Sequence, residues 1–245
     1  MSRRPHMYGG KDPRDLPVYL PTEAAFYLRV RPATLRAWAL GRSYQTAGGA
    51  KRFEPLIELP DSSQSLLSYT NLIELHMLRL IRQDQGLKLS KVRAAIEYLK
   101  QAFRSEHPLA EHDFLTDGLD LLVDKLGGLI VVSQGGQVAI DDVVRGLLRR
   151  IEREKGQPVR FFPLPAYRVE VFKNPEPPRP VVMAPTIAFG QPVVPGTAIK
   201  VEALHERFAA QESPEEIAED FGLKPEQVIL AVQWYSYNRT ILKAA

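Results

Sequence analysis

The pattern of apolar, glycine and proline residues predicts an α+β chain, mainly α. It should open with a winged helix-turn-helix, continue through a mixed α/β middle, and close with a three-helix helix-turn-helix unit. Three observations carry this. Two short helix-forming stretches within 18–40 are followed by a glycine-bearing stretch that reads as a hairpin. Two longer stretches then repeat apolar residues at helical spacing. From about residue 200, three further helical stretches are joined by short turns. The 245 residues are 44% hydrophobic and 25% charged, ordinary for one large or two modest globular domains. There are no cysteines, which excludes disulfides, thiolate zinc sites, thiol catalysis and iron–sulfur clusters. No apolar run is long enough for a membrane span, and Met1-Ser-Arg-Arg-Pro-His-Met-Tyr lacks the apolar core of a secretory signal. A soluble, cytoplasmic protein with no membrane partner is expected.

Residues 1–17 are polar and read as a flexible basic arm. The unit at 18–104 begins with Glu23-Ala-Ala-Phe-Tyr-Leu, a helix that Thr22 can cap. Pro32 suits the first turn of the next helix, Ala33-Thr-Leu-Arg-Ala-Trp-Ala-Leu, and Gly41 ends it. Gly48-Gly49 and then Arg52-Phe-Glu-Pro-Leu-Ile-Glu-Leu predict a wing whose edge strand tolerates Pro55. Leu66, Tyr69, Ile73, Met77 and Leu80 make one helical stripe; Leu89, Val92, Ile96, Leu99 and Phe103 make another, and Gly86 marks the turn between them. Each stripe predicts one buried face.

The middle region, 105–173, mixes elements. Leu129-Ile-Val-Val-Ser, Gly135-Gly136 and Gln137-Val-Ala-Ile read as a hairpin. Asp141 can cap a helix carrying Val144, Leu147, Leu148 and Ile151. Val159-Arg-Phe-Phe and Tyr167-Arg-Val-Glu-Val-Phe alternate as strands. Residues 174–180 hold four prolines and read as a stiff linker. The last unit, 181–245, should have short strands near 187–199 and helices at about 200–210, 214–221 and 225–238.

Charge is unevenly placed. Residues 1–52 hold ten Lys or Arg against three acids, whereas 181–245 hold five bases against eight acids. A basic head suits a phosphate backbone, and an acidic tail suits a different partner. In a winged helix-turn-helix the second helix enters the major groove. Arg31, Thr34 and Arg36 lie at or near its start, and Lys51 and Arg52 lie in the wing. With Thr22 and Arg42 they form the expected DNA-binding set. Leu35 and Trp38 should face the core.

These residues resemble the DNA-binding domain of the MerR family of transcription regulators. Tyr19-Leu20 with Thr22-Glu-Ala-Ala is similar to the family's opening, and Arg31-Pro-Ala-Thr-Leu-Arg-Ala-Trp to its recognition helix. Gly49-Ala-Lys-Arg-Phe resembles the wing, and Tyr69–Ile81 with Gly86-Leu-Lys-Leu and Val92 resembles the two later helices. The likeness spans about 18–103. One departure is the long antiparallel dimerisation helix of that family, because the helix after Gly86 should end before Pro108.

The tail carries a second resemblance. Ile187-Ala-Phe-Gly-Gln-Pro-Val-Val-Pro-Gly-Thr, Ala203-Leu, Glu212-Ser-Pro-Glu-Glu-Ile-Ala-Glu-Asp-Phe-Gly-Leu, Glu226-Gln-Val and Ala231 resemble a small domain of VapB-type antitoxins, long known only as of unknown function. Such antitoxins pair with PIN-domain ribonuclease toxins. Head and tail together resemble a larger VapB-type architecture. The resemblance implies binding to double-stranded DNA at the module's own promoter and inhibition of a partner toxin.

The tail residues add their own reading. Ser213 and Glu216 have capping-box spacing, and Gly222 ends that helix. The helix after Pro225 sits where a recognition helix would, yet holds one acid and no base before Arg239. It has two apolar faces. Val228, Ala231, Val232 and Tyr235 suit its own core; Leu230, Trp234, Tyr237 and Ile241 are surplus and suit a dimer or partner interface. Arg239 and Lys243 are possible toxin contacts by position alone.

Signs of catalysis are few. No GxxxxGK phosphate loop occurs. His107 and His112, with Asp113, miss helical ligand spacing. Asp117, Asp120 and Asp124 read as a solvated face, and Ser133 lacks a glycine elbow. No enzyme, metal or cofactor is expected. The reading is an antitoxin and autorepressor acting as a homodimer on paired half-sites. One alternative is a stand-alone regulator whose middle region, with Phe161, Phe162 and Tyr167, binds a small ligand. Another is an interaction adaptor that does not bind DNA.

Overall fold

Pro21 and Pro32 set the first turns of α1 (Pro21–Leu28) and α2 (Pro32–Leu40), where a missing N–H costs nothing. The computed structural model describes residues 8–80, 89–111, 148–164 and 178–243. Proline at the first helical position moves the cap of α1 to Leu20, so Thr22 lies inside the first turn and does not cap it. The Glu23 carboxylate accepts the Leu20 N–H instead, at 2.7 Å. Arg29 closes α1 in a left-handed conformation, φ 53°. Gly41 closes α2 at φ 73°, and a Cβ there would stand 2.5 Å from the Phe53 carbonyl oxygen. Only glycine lets the chain turn this tightly into the hairpin of β1 (Arg42–Thr46) and β2 (Gly49–Phe53). The strands pair antiparallel with Arg42 opposite Phe53 and Tyr44 opposite Lys51. Strand pairing stops before Pro55.

The next helix, α3 (Tyr69–Arg79), departs from its expected single buried face, because every one of its residues is buried. It runs through the centre of the molecule, so its polar side chains need partners there. The Thr70 hydroxyl donates to the Asp15 carboxylate at 2.8 Å. Asn71 donates to the Glu58 carbonyl at 2.7 Å and to the Glu74 carboxylate at 3.0 Å. Glu74 also faces His107 Nδ1 at 3.2 Å. Burial pushes the Glu74 carboxyl above the usual range, and the hydrogen bond to that carboxylate raises His107. Helix α4 (Leu89–Phe103) keeps the expected stripe, with Val92, Ile96 and Leu99 buried. A single turn, α5 (Pro108–Glu111), follows.

Residues 12–15, read from sequence as part of a flexible arm, are docked. Arg14 pairs with Asp12 at 2.5 Å and donates to Gln157 at 2.9 Å. In the middle region, β3 (Ile151–Glu154) pairs antiparallel with β4 (Gln157–Phe161). Ile151 was expected on a helix begun by Asp141; it starts a strand instead. The expected elements at 129–140, 141–147 and 167–172 lie outside the described residues. The Arg150 guanidinium is buried and donates to the carbonyls of Phe162 at 2.8 Å, Pro163 at 2.7 Å and Pro178 at 3.2 Å. Burial and the neighbouring Arg179 lower its pKa to about 10.

From Val181 the chain runs back across the molecule. Met183 and Phe161 exchange backbone hydrogen bonds at 2.8 and 2.9 Å, and Val182 does the same with Val193. These are isolated bridges in place of the expected strands near 187–199, because a left-handed turn at Ala188, Phe189 and Gly190 interrupts the extended chain. Three helices complete the fold: α6 (Val201–Ala209), α7 (Pro214–Phe221) and α8 (Pro225–Lys243). Ser213 and Glu216 form the expected capping box on α7, and Gly222 ends it at φ 64°. Buried apolar residues from Tyr19 to Trp234 form one large core that joins head, middle and tail, and Phe162, Val182 and Val193 form a small second cluster. No described helix is long and apolar enough to cross a membrane.

Gly190 is a tight joint in this arrangement. The Tyr19 hydroxyl donates to its carbonyl at 2.9 Å, and a Cβ on Gly190 would meet that hydroxyl at 2.0 Å. Gly190→Ala should therefore displace Tyr19, break this bond and strain a backbone at φ 78°. An expected loss of about 2–4 kcal/mol in chemical denaturation tests this; an unchanged midpoint would refute it.

Candidate nucleic-acid interface

Helix α2 buries Leu35 and Trp38, as expected, and turns its other side to solvent. Leu35 and Trp38 lie three apart, so one face of a nine-residue helix is committed to the core. That leaves Arg36 exposed, Thr34 half-buried, and Arg31 exposed at the N-cap. The Arg31 side chain does not cap the helix. The start of α2 thus presents backbone N–H groups beside a cation, an arrangement suited to phosphate.

The hairpin is exposed on both faces of both strands, with only Thr46 and Phe53 half-buried. Successive strand residues point to opposite faces. The pairing therefore puts Arg42, Tyr44, Lys51 and Phe53 on one face and Ser43 and Arg52 on the other. Lys51 and Arg52, expected to act together, are split. Arg52 is further occupied by an ion pair to Glu54 at 3.2 Å. The hairpin is anchored at its base. Arg93 of α4 stacks over the Phe53 ring at 5.2 Å and donates to the carbonyls of Pro55 and Glu54 at 3.0 and 2.5 Å. Thr22 is exposed on α1, beside a half-open groove of about 220 Å³ that Glu23, Phe26, Lys200, Glu202 and Tyr235 also line.

Not every base in the head is available to a phosphate. Arg14 is held by Asp12, and Arg29 turns inward. Arg29 Nε donates to Asn238 Oδ1 at 2.5 Å, and its terminal nitrogen donates to the Leu164 carbonyl at 2.6 Å. Its guanidinium lies over the Tyr237 ring at 4.7 Å. Counting charge along the sequence missed this, because sequence does not say which way a cation points. The one available signal was the absence of a glycine where α1 ends.

The tail face expected to be surplus is divided. Trp234 is fully buried: its indole N–H donates to the Leu164 carbonyl at 3.0 Å, and its ring meets Phe26 edge-on at 5.9 Å. Trp234 thus packs within the chain. Leu230 and Tyr237 are exposed at 39% and 37%, with Ile229 beside them at 38%. Arg239 is exposed. The side chains of Ile241 and Lys243 lie outside the described residues. In the middle region Phe161 is buried against His76, and Phe162 is buried under Arg179. Tyr167, His112, Asp113, Asp117, Asp120, Asp124 and Ser133 lie outside the described residues.

Comparison with known proteins supports one part of this picture directly. Residues 181–235 match a family described as a protein of unknown function, DUF433. That segment coincides with the tail resemblance drawn from the sequence. A protein of Mycobacterium tuberculosis strain H37Rv named "Putative antitoxin VapB45" is 27% identical over 231 residues, covering 87% of this chain and 92% of that protein. The chain is thus similar to a VapB-type antitoxin over most of its length. The crystal structure of Rv2018 from Mycobacterium tuberculosis shares the fold, with a TM-score of 0.61, 20% identity, and coverage of 89% of this chain and 98% of that one.

Proposed function

From this likeness to a VapB-type antitoxin, we propose that the chain is the antitoxin of a toxin–antitoxin pair and binds its own promoter as an autorepressor. The observation that carries the DNA reading is the set of exposed cations on α2 and the hairpin: Arg31, Arg36, Arg42 and Lys51. A two-stranded hairpin that buries so little gains little from the core, which supports a role in contact with something outside the chain. In this reading α2 enters the major groove as the MerR-like recognition helix, and Lys51 grips the flanking backbone. Thr34 and Thr22 add hydroxyl contacts, and Arg52 a weaker one. Two copies would place two heads on paired half-sites.

The tail suits a protein partner better than DNA. Helix α7 presents Glu215, Glu216 and Glu219 to solvent, which repels phosphate. The exposed Leu230 and Tyr237 on α8 offer apolar contact area. The partner proposed is a PIN-domain ribonuclease, with Arg239 and Lys243 near its acidic metal site. The chain acts by binding and not by catalysis, in the cytoplasm.

Two measurements test this. Titration of the chain onto its promoter fragment should show affinity falling steeply as salt rises, from released counterions; flat salt dependence would remove the DNA reading. Affinity purification from the host, with mass spectrometry, should recover one small nuclease. Recovery of the chain alone would remove the antitoxin reading.

A further inference from the structure

We infer that Arg29 and Asn238 are positioning residues for the DNA-reading helix, so that tail helix α8 sets the alignment of α2. The inference rests on the DNA reading proposed above. Arg29 occupies the turn just ahead of α2, whose N-cap is Arg31. Asn238 lies on α8, far along the chain, and is fully buried. Its amide works in both directions. Asn238 Oδ1 accepts from Arg29 Nε at 2.5 Å, while Nδ2 donates to the Phe26 carbonyl at 3.1 Å. Phe26 is in the last turn of α1. The Leu164 carbonyl completes the clamp by accepting from both Arg29 and Trp234.

Two features favour positioning over plain packing. Apolar residues could fill the contact between α1 and α8, and a buried amide brings directional bonds that apolar contact lacks. Arg29 also holds φ 53°, a conformation that helix ends usually assign to glycine. A side chain is kept there despite the strain, and that side chain reaches α8. A turn fixed by directional bonds holds α2 at one angle to α1 and α8. Base reading needs that angle, whereas general attraction to phosphate tolerates error.

The test uses the full chain with two variants. Asn238→Leu removes both amide bonds; Asn238→Asp keeps the acceptor for Arg29. Dissociation constants are measured for the promoter fragment and for a scrambled duplex of equal length, with folding checked by circular dichroism. Amide hydrogen exchange is followed at Val30 and Leu35, whose N–H groups bond to the carbonyls of Ala25 and Arg31. Asn238→Leu should lose about tenfold in promoter preference, within the usual range of coupling between sites. Its affinity for scrambled DNA should stay within about twofold, because phosphate contacts carry that term. Exchange at Val30 and Leu35 should quicken. Asn238→Asp should retain most of the preference. An unchanged preference together with unchanged exchange in Asn238→Leu overturns the inference. If the wild-type chain shows no promoter preference, the DNA reading has failed. The clamp then stands or falls by exchange alone, with faster exchange in Asn238→Leu supporting it. Should Asn238→Leu not fold, Arg29→Gln takes its place under the same criteria.

Discussion

Replacing Arg36 and Lys51 together by alanine is expected to weaken promoter binding by about a hundredfold without changing the melting temperature. An arginine reading a base edge contributes roughly 1–3 kcal/mol, and a lysine on phosphate adds a sequence-independent share. Both side chains are exposed, so neither supports the core. The slope of log affinity against log salt should fall by about 0.9 for each phosphate that the variant no longer neutralises. Arg52→Ala should matter less, since Arg52 lies on the opposite face of the hairpin from Lys51 and already pairs with Glu54 at 3.2 Å. Filter binding or fluorescence anisotropy across a salt series gives all three values. A double variant that binds as the wild type does would remove α2 and the hairpin as the reading surface, and a wild-type chain that does not bind the promoter would turn the assignment toward an adaptor that does not bind DNA.

The second large effect separates two neighbours on α8. Trp234→Ala should cost about 3–5 kcal/mol of stability, the usual range for removing a buried large aromatic side chain. The Leu164 carbonyl would also be left with one donor in place of two. At roughly 2–4 °C per kcal/mol for a chain of this size, the melting temperature should drop by about 10 °C. Tyr237→Ala should cost much less, about 1 kcal/mol, because that ring is already 37% exposed and what it loses is chiefly its stacking on Arg29. The same change should weaken binding of the toxin partner by more than about tenfold, as loss of an aromatic anchor does. Calorimetry and partner titration read the two outcomes. If Trp234→Ala melts like the wild type, the packing of α8 on α1 is wrong. If Tyr237→Ala leaves partner affinity unchanged, the exposed face of α8 makes no contact there.

Local signals and global placement differed in how well the sequence revealed them. Pro32 and Gly41 bracket α2 as expected, and Ser213, Glu216 and Gly222 bracket α7, because proline, capping side chains and left-handed glycine act within a few residues. The stripe on α4 was equally readable. Helix α3 was not, since a period of apolar residues reports the minimum that is buried; Thr70, Asn71 and Glu74 become interior only because distant Asp15, Glu58 and His107 satisfy them. The exposed cations of the candidate site were found by residue type and position. Arg29 counted toward the basic balance of residues 1–52 yet faces inward, because its partner, Asn238, lies at the other end of the chain. The same reason explains Trp234: spacing showed that α8 had more apolar surface than a three-helix unit needs, but not that Phe26 would cover part of it.

The large core running from Tyr19 to Trp234 bears on how such a chain could be recombined. A reading head and a partner-binding tail sound like cassettes that evolution or an engineer could exchange at will. Here the tail's Trp234 and Asn238 are complementary to the head's Phe26 and Arg29, and Gly190 is shaped to the Tyr19 hydroxyl. A graft of this tail onto a foreign head would need those counterparts carried with it. Otherwise the chimera would expose an indole and an unpaired amide at its seam. New pairings of operator and toxin are therefore more accessible by substitution at the exposed residues of α2 and α8 than by shuffling whole segments.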